Sequence, residues 1–139
     1  MGITCADIGL IRAADFDLAQ KGDLTEDQIR RVRATALVDS GASTLIVPRS
    51  LAGLLSLRTR DDVETEFTNG EILKAEVVGP LEVHFQNRIA TVDAVVAEAE
   101  TEVLLGAISM QRMDVLIDPK RERLMVNPSS PDRARLSLK

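Results

Sequence analysis

The chain has 139 residues, of which 45% are hydrophobic and 28% charged, a balance typical of one folded domain and not of a disordered or collagen-like chain. Its net charge of −5 would repel phosphate backbones and anionic lipids, which argues against nucleic acid and membranes as partners. Only 2% of the residues are aromatic, so aliphatic side chains must fill the core, which favours β-strands.

The single cysteine and the first ten residues indicate a cellular compartment. Cys5 cannot form an internal disulfide, and an exposed lone thiol is unfavourable outside a reducing compartment. Residues 1–10 lack the basic start and long apolar run of a signal peptide, and no stretch approaches the roughly 18 apolar residues that span a bilayer. We therefore expect a cytoplasmic protein.

The first part of the chain predicts two strands separated by a charged insert. Residues 3–11 are mainly apolar and predict the first strand. In the insert, at about residues 13–30, Thr25 and Gln28 have the spacing of a capping box and predict a short helix. Residues 32–38 alternate apolar and polar side chains, the pattern of a half-buried strand, and lead directly into Asp39.

The middle of the chain predicts a hairpin within a series of short strands. Residues 45–47 form an apolar run closed by Pro48, and residues 49–57 predict one or two helical turns. The segments 63–67 and 72–78 flank Asn69-Gly70, the pair best suited to a two-residue hairpin turn. Two further strands are predicted, at residues 81–85 and 89–97.

The last part predicts a buried strand at 103–106, a helix at 107–113, and strands at 115–117 and 124–126. A tail follows at about residues 127–139, either an arm or a late strand. Many short strands separated by turns predict an all-β fold with one or two short helices, in a single domain over residues 1–139.

One tripeptide, Asp39-Ser40-Gly41, is the candidate for chemistry. Taken alone it is ordinary β-turn sequence. Here it stands between two apolar segments, 36–38 and 45–47, that should be buried. A carboxylate between them is costly unless it is hydrogen-bonded, shares a proton or takes part in catalysis.

The segment 36–42 resembles the active-site loop of the retropepsin-like aspartic peptidases, the single-lobe relatives of pepsin that include the retroviral proteases. A second motif agrees, because Leu104-Leu105-Gly106 precedes a predicted helix in the order that these proteins show. The resemblance covers roughly residues 3–126, leaves the insert outside, and is closest to small bacterial members. It implies a single-lobe acid-protease fold with a flap hairpin.

The resemblance also implies roles for particular residues. Asp39 would be the catalytic carboxylate, and Ser40, Gly41 and Ala42 would support its loop. The apolar-Gly motif would be Leu104, Leu105 and Gly106. The flap that closes over bound peptide would include Thr68, Asn69, Gly70 and Glu71.

Peptide hydrolysis by this route needs two carboxyl groups, one to take a proton from water and one to donate a proton to the carbonyl oxygen. No other Asp is followed by Ser or Thr and then Gly. The second carboxyl group must therefore come from a second copy, which predicts a homodimeric aspartic endopeptidase acting on peptides or proteins.

Neither a metal nor a cofactor is expected, because His84 is the only His and the chain lacks a glycine-rich phosphate loop. One alternative is a catalytically silent dimer of the same fold that binds peptides or a protein partner, with its two Asp39 side chains far apart. Another is a purely structural β-domain, in which Asp39 would be exposed and unpaired. Two further questions stay open: whether the insert reshapes the dimer edge or binds a regulator, and whether interleaved terminal strands close the dimer.

Overall fold

The alternating segments of the sequence form β-strands that build one sheet. The computed structural model describes residues 3–66 and 69–138. Within them the strands are β1 (Thr4–Arg12), β2 (Arg31–Val38), β3 (Leu45–Pro48), β4 (Arg58–Glu66), β5 (Ile72–Phe85), β6 (Arg88–Ala97), β7 (Val103–Leu105), β8 (Val115–Asp118) and β9 (Arg123–Val126). The helices are α1 (Ala13–Gln20), α2 (Arg49–Leu54) and α3 (Ala107–Met113), with a short 3-10 helix at Glu26–Gln28.

The sheet has the order β4-β5-β6-β3-β7-β2-β1-β9-β8 and bends back on itself, because β5 also pairs with β1. Strand β5 is long enough to pair with β4 through its first half and with β1 through its second, where His84 lies opposite Gly9. Aliphatic side chains from most strands fill the enclosed space, among them Leu10, Leu45, Leu81 and Leu105. The prediction of a mainly β fold with an aliphatic core is confirmed.

The insert contains a helix that the sequence pattern did not reveal. Helix α1 begins directly after β1, so the described chain has three α-helices where one or two were predicted. Asp15 in its first turn is buried, accepts a hydrogen bond from the Arg30 N–H at 2.9 Å, and pairs with the guanidinium of Arg12. The predicted capping box is present, since the Thr25 N–H donates to Gln28 Oε1 at 2.8 Å, but it starts only a three-residue 3-10 helix.

The two strands predicted at 72–78 and 81–85 are one continuous strand. Gly79 carries the chain across the predicted break at a φ of +144°, and a Cβ there would lie 2.5 Å from Asp93 Oδ1. The pattern break is real, however: the pairing of β5 with β6 shifts register between Val78 and Leu81. Side-chain alternation changes phase at a register shift, which is why the sequence indicated two strands.

The hairpin of β4 and β5 is present, but its turn differs from the prediction. Glu66 pairs with Ile72, so the described register is centred on Asn69 and not on the Asn69–Gly70 peptide. That register does not fit a two-residue loop. Gly70 has a φ of +85°, the left-handed conformation for which glycine is suited.

The tail packs against the body of the domain and, over residues 127–138, forms no strand or helix. Asp114, in the left-handed conformation after α3, accepts hydrogen bonds from Asn127 Nδ2 at 3.0 Å, the Arg135 N–H at 2.9 Å and Ser130 Oγ. The buried guanidinium of Arg88 donates to the Ser130 carbonyl. The tail is thus neither a late strand in this range nor a projecting arm up to Arg135.

None of the helices within the described ranges combines the length and apolar character needed to cross a bilayer.

Candidate active site

Asp39 lies immediately after β2, at the start of the loop that leads to β3. Its N–H donates to the Leu105 carbonyl at 3.0 Å, and its carbonyl accepts from the Ala42 N–H at 3.2 Å. Its carboxylate accepts from the Gly41 N–H at 2.9 Å. Both the backbone and the side chain of Asp39 are therefore fixed by hydrogen bonds.

The carboxylate of Asp39 is exposed in the single chain, as are Ser40 and Gly41. The expectation that the flanking segments would bury it is wrong for the isolated chain, although Ala36 and Leu45 are themselves buried. The loop leaves the end of the sheet at residue 39, so the carboxylate faces outward. Exposure is one of the two marks of a purely structural turn. The hydrogen bond from the Gly41 N–H is an Asx turn, which a structural turn would also show, so it does not separate that alternative from a catalytic role.

The apolar-Gly motif packs directly against the Asp39 loop. The Ala107 N–H donates to the Ala42 carbonyl at 2.8 Å, and the Ile108 N–H donates to the Ser43 carbonyl at 3.0 Å. A Cβ on Gly106 would lie 2.4 Å from the Thr44 carbonyl oxygen and 2.9 Å from the Ala42 carbonyl oxygen. Only glycine fits at residue 106 without moving the backbone that carries Asp39.

Strand pairing explains why the two motifs meet. Strand β7 lies between β2 and β3, parallel to β2 with Leu105 opposite Val38, and antiparallel to β3 with Leu104 opposite Ile46. Leu105 is fully buried and Leu104 half-buried. Strands β2 and β3, which flank the Asp39 loop in the chain, are thus held in a fixed register by β7.

The hairpin tip forms a second candidate element. Asn69, Gly70 and Glu71 are exposed, and Asn69 Oδ1 accepts the Glu71 N–H at 2.9 Å. Thr68, also predicted in the flap, lies outside the described residues. Among the described residues no hydrogen bond joins this tip to the Asp39 loop.

The base of the hairpin is fixed by a cluster that sequence reasoning missed. Arg49 of α2 donates to Glu76 of β5 at 2.7 Å and also to Glu98, just beyond β6. Thr59 Oγ1 of β4 donates to Glu76 at 2.6 Å. The hydrogen bonds from Arg49 and Thr59 lower the pKa of Glu76. These residues are 17 to 49 positions apart, so only the tertiary structure reveals the cluster.

Metal-binding chemistry has no candidate in the described part of the chain, which contains no group of three or more His, Cys, Asp or Glu placed to hold an ion. His84 Nε2 lies 2.9 Å from Glu82 on the same strand. A cleft of about 890 Å³ lies between α1 and the hairpin base and is not lined by Asp39. A groove of about 680 Å³ lies beside Ser40, α3 and the tail.

Comparison with known proteins finds a matching sequence family and similar solved structures. The family described as gag-polyprotein putative aspartyl protease matches residues 26–112, a range that includes the Asp39 loop, the hairpin and the apolar-Gly motif. No curated protein matches the chain. A solved structure of EIAV protease complexed with the inhibitor HBY-793 is similar with a TM-score of 0.49 and 18% identity, over 57% of this chain and 75% of that chain.

Proposed function

Because the chain belongs to the gag-polyprotein putative aspartyl protease family, we propose that it is a homodimeric endopeptidase in which two Asp39 carboxyl groups hydrolyse peptide bonds. The observation that carries the proposal is the construction of the Asp39 loop. Its backbone is fixed by Leu105 while its carboxylate is left open to solvent. An exposed, preorganised carboxylate is suited to receive a second carboxyl group from another chain.

The reaction needs one ionised and one protonated carboxyl group. Two carboxyl groups at close range share one proton, because both cannot be ionised together. The ionised Asp39 takes a proton from water, and the resulting hydroxide attacks the carbonyl carbon of the peptide. The protonated Asp39 of the second copy donates its proton to the carbonyl oxygen, which gives a tetrahedral diol. The carboxyl group that took the proton from water then donates it to the amide nitrogen, the C–N bond breaks, and the other carboxylate takes a proton back from a diol hydroxyl, which leaves an acid, an amine and one shared proton. No covalent enzyme intermediate forms.

The neighbouring residues hold this geometry. Gly41 donates its N–H to the Asp39 carboxylate, which leaves the other carboxylate oxygen available for water or for the second carboxyl group. Ser40 stands next to Asp39 on the exposed side of the loop and is proposed to brace the two loops across the dimer.

The hairpin is proposed to act as a flap over an extended substrate. An extended peptide offers main-chain donors and acceptors that the hairpin tip at Asn69, Gly70 and Glu71 can bind. Closure would exclude water from the two carboxyl groups and thereby strengthen their interactions. The cluster of Arg49 with Glu76 and Glu98 fixes the base of the hairpin, so motion would be concentrated near its tip.

The test compares wild type with Asp39→Asn on a peptide library from acid to neutral pH. General acid–base catalysis by a positioned group contributes about 100- to 10,000-fold, so Asp39→Asn should lose at least about 100-fold in rate. Asp17→Asn is a matched control, since Asp17 is exposed and distant from the Asp39 loop in the chain. Equal cleavage by wild type and Asp39→Asn would rule out the proposed catalytic role.

A further inference from the structure

A small cavity of about 280 Å³ lies where α3 meets β6 and the start of β3. This α3–β6 cavity is distinct from the cleft beside α1 and from the groove beside Ser40, although Asp93 also borders the cleft and Arg112 also borders the groove. Its volume is near the lower end of the range for ligand pockets, about 300–1,000 Å³, so it suits a small molecule.

Three hydroxyl groups line the α3–β6 cavity without a hydrogen-bond partner in the described part of the chain. Ser109 of α3 is 1% exposed, and its Oγ is buried and unpaired. The hydroxyl groups of Thr44, which precedes β3, and of Thr91 on β6 form no hydrogen bond to described residues either. A buried hydroxyl without a partner is costly, and a polar molecule in the cavity would remove that cost. Water could do so as well, so the hydroxyl groups alone do not identify a ligand.

Two opposite charges line the same cavity and narrow the choice. Arg112 is exposed in the last turn of α3 and forms no ion pair with any described residue. Asp93 of β6 uses Oδ1 to pair with Arg60 at 3.5 Å, which leaves its Oδ2 available. A simple anion in the cavity would be repelled by Asp93, and a simple cation would be repelled by Arg112. A zwitterion can pair with both.

The remaining lining of the α3–β6 cavity is aliphatic and consists of Leu45, Val92 and Ile108. Ile108 is 50% exposed although its N–H is fixed by the Ser43 carbonyl at 3.0 Å. A small apolar group in the cavity would cover this side chain, and such burial is favourable.

We propose that the α3–β6 cavity binds a small aliphatic α-amino acid. Its carboxylate would pair with the guanidinium of Arg112, whose planar N–H groups match the two carboxylate oxygens. Its ammonium group would donate to Asp93 Oδ2, and the hydroxyl group of Ser109 would donate to the carboxylate. In a longer peptide the two terminal charges are further apart, so a single amino acid is the form that presents both charges within so small a cavity. None of these residues has a role in the proposed hydrolysis, so the two proposals can fail independently.

The test titrates the full chain with L-leucine and follows its backbone amide signals by NMR. Binding should shift the signals of α3 and of the residues around Asp93. Two analogues, 4-methylpentanoate without the ammonium group and 3-methylbutylamine without the carboxylate, should each bind at least about tenfold more weakly, because each leaves one charged side chain unpaired.

Substitutions assign the contacts. Arg112→Gln and Asp93→Asn should each weaken L-leucine binding by at least about tenfold. Ser109→Ala should weaken it about two- to tenfold and yet leave stability to urea unchanged or raised, because the lost hydroxyl has no partner in the described chain. A purely structural Ser109 would not show this separation. Arg33→Gln is the matched control for Arg112→Gln, since Arg33 is exposed on β2 and does not line the cavity.

Urea unfolding establishes that each variant is folded before its binding is compared. Arg112 is exposed, so its substitution tests the proposal even if Asp93→Asn does not fold. A chain that binds no L-leucine would overturn the proposal, as would equal binding of L-leucine and its two analogues. Equal binding by Arg112→Gln and Arg33→Gln, or signal shifts that leave α3 and β6 untouched, would overturn it as well.

Discussion

Gly106 lies so close to the loop of Asp39 that an added methyl group would overlap the backbone of Thr44 and Ala42. We expect Gly106→Ala to lower the free energy of unfolding by about 1–3 kcal/mol, the usual cost of overpacking a tight site. Because the displaced backbone carries Asp39, activity should fall as well. Urea denaturation measures the first effect and peptide cleavage the second.

Gly53→Ala is the control for this substitution. Gly53 lies within α2, and nothing stands within 4 Å of a Cβ built there. Alanine should therefore stabilise the protein by about 0.5–1 kcal/mol through its better helix propensity. A Gly106→Ala variant as stable as Gly53→Ala would contradict the close packing of the two motifs.

Asp114 should make stability depend on acidity through the tail. Hydrogen bonds from Ser130, the Arg135 N–H and Asn127 lower the pKa of Asp114 from 3.8 to about 2. A depressed pKa in the folded state stabilises the protein fully above the unfolded value of about 3.8, and this contribution is lost as pH falls through about 2. The difference in unfolding free energy between wild type and Asp114→Asn should therefore shrink as the pH falls from about 3.8 to about 2. If this difference in unfolding free energy did not change with pH, the lowered pKa of Asp114 would be contradicted.

At the residue scale, the sequence revealed Asp39 because its motif is local. Asp39, Ser40 and Gly41 are adjacent, and their turn chemistry can be recognised without a structure. Asp114 could not be identified in the same way, because its partners lie 13 to 21 residues further along the chain. The outward direction of the Asp39 carboxylate was also hidden, since it depends on where the loop leaves the sheet.

The insert between β1 and β2 depends on the buried carboxylate of Asp15. Burial raises the pKa of Asp15, but hydrogen bonds and charges from Arg30 and Arg12 lower it more, so the net pKa is below its ordinary value. We expect Asp15→Asn to lower the free energy of unfolding by about 1.5–3 kcal/mol, the range for hydrogen bonds to charged groups. Thermal or urea unfolding near neutral pH measures this.

Asp17→Asn changes the same charge on the same helix at an exposed position. It should alter stability by no more than about 0.5 kcal/mol, as surface substitutions usually do. If the two variants were equally stable, the buried pairing of Asp15 would not be what fixes the insert.

At the element scale, most strands were predicted because alternation reports one buried face directly. Helix α1 was missed because it is short and its charged residues follow no clear amphipathic pattern; its anchor to Arg30 is a tertiary contact. The division of β5 into two strands arose from the same alternation, which changes phase where pairing with β6 shifts. The turn of the hairpin was misjudged because register, and not the Asn69-Gly70 pair alone, determines loop length.

The proposed pairing of two Asp39 carboxyl groups predicts a simple result for mixed chains. When wild type and Asp39→Asn exchange freely at equal concentrations, about half of the wild-type chains should pair with a variant that lacks the second carboxyl group. Activity per wild-type chain should then fall to about half of its value in the unmixed enzyme. Cleavage assays after equilibration of the two chains measure this.

An equal mixture of wild type and Asp17→Asn serves as the control and should retain full activity. If mixing with Asp39→Asn left the activity per wild-type chain unchanged, one chain would carry a complete site, which contradicts a shared pair of carboxyl groups.

At the scale of the whole molecule, the mainly β single-lobe fold and the family were both predicted correctly from two ordered motifs and the strands around them. The arrangement of the tail was not predicted from the sequence, because residues 127–138 lack a periodic pattern and are positioned by Asp114 and Arg88. Periodicity identifies elements that bury one face, and gives no information on segments held by single hydrogen bonds.

The hydrogen bond from the Asp39 N–H to the Leu105 carbonyl also has a consequence for the order of events during synthesis. Strand β7 must emerge and insert between β2 and β3 before the Asp39 loop can take its final shape, because β7 pairs with both strands. Contacts between residues so distant in the chain form late, since a long loop must close first. A nascent chain would thus carry Asp39 without the final shape of its loop until β7 has been synthesised, so the proposed active site would form late in translation.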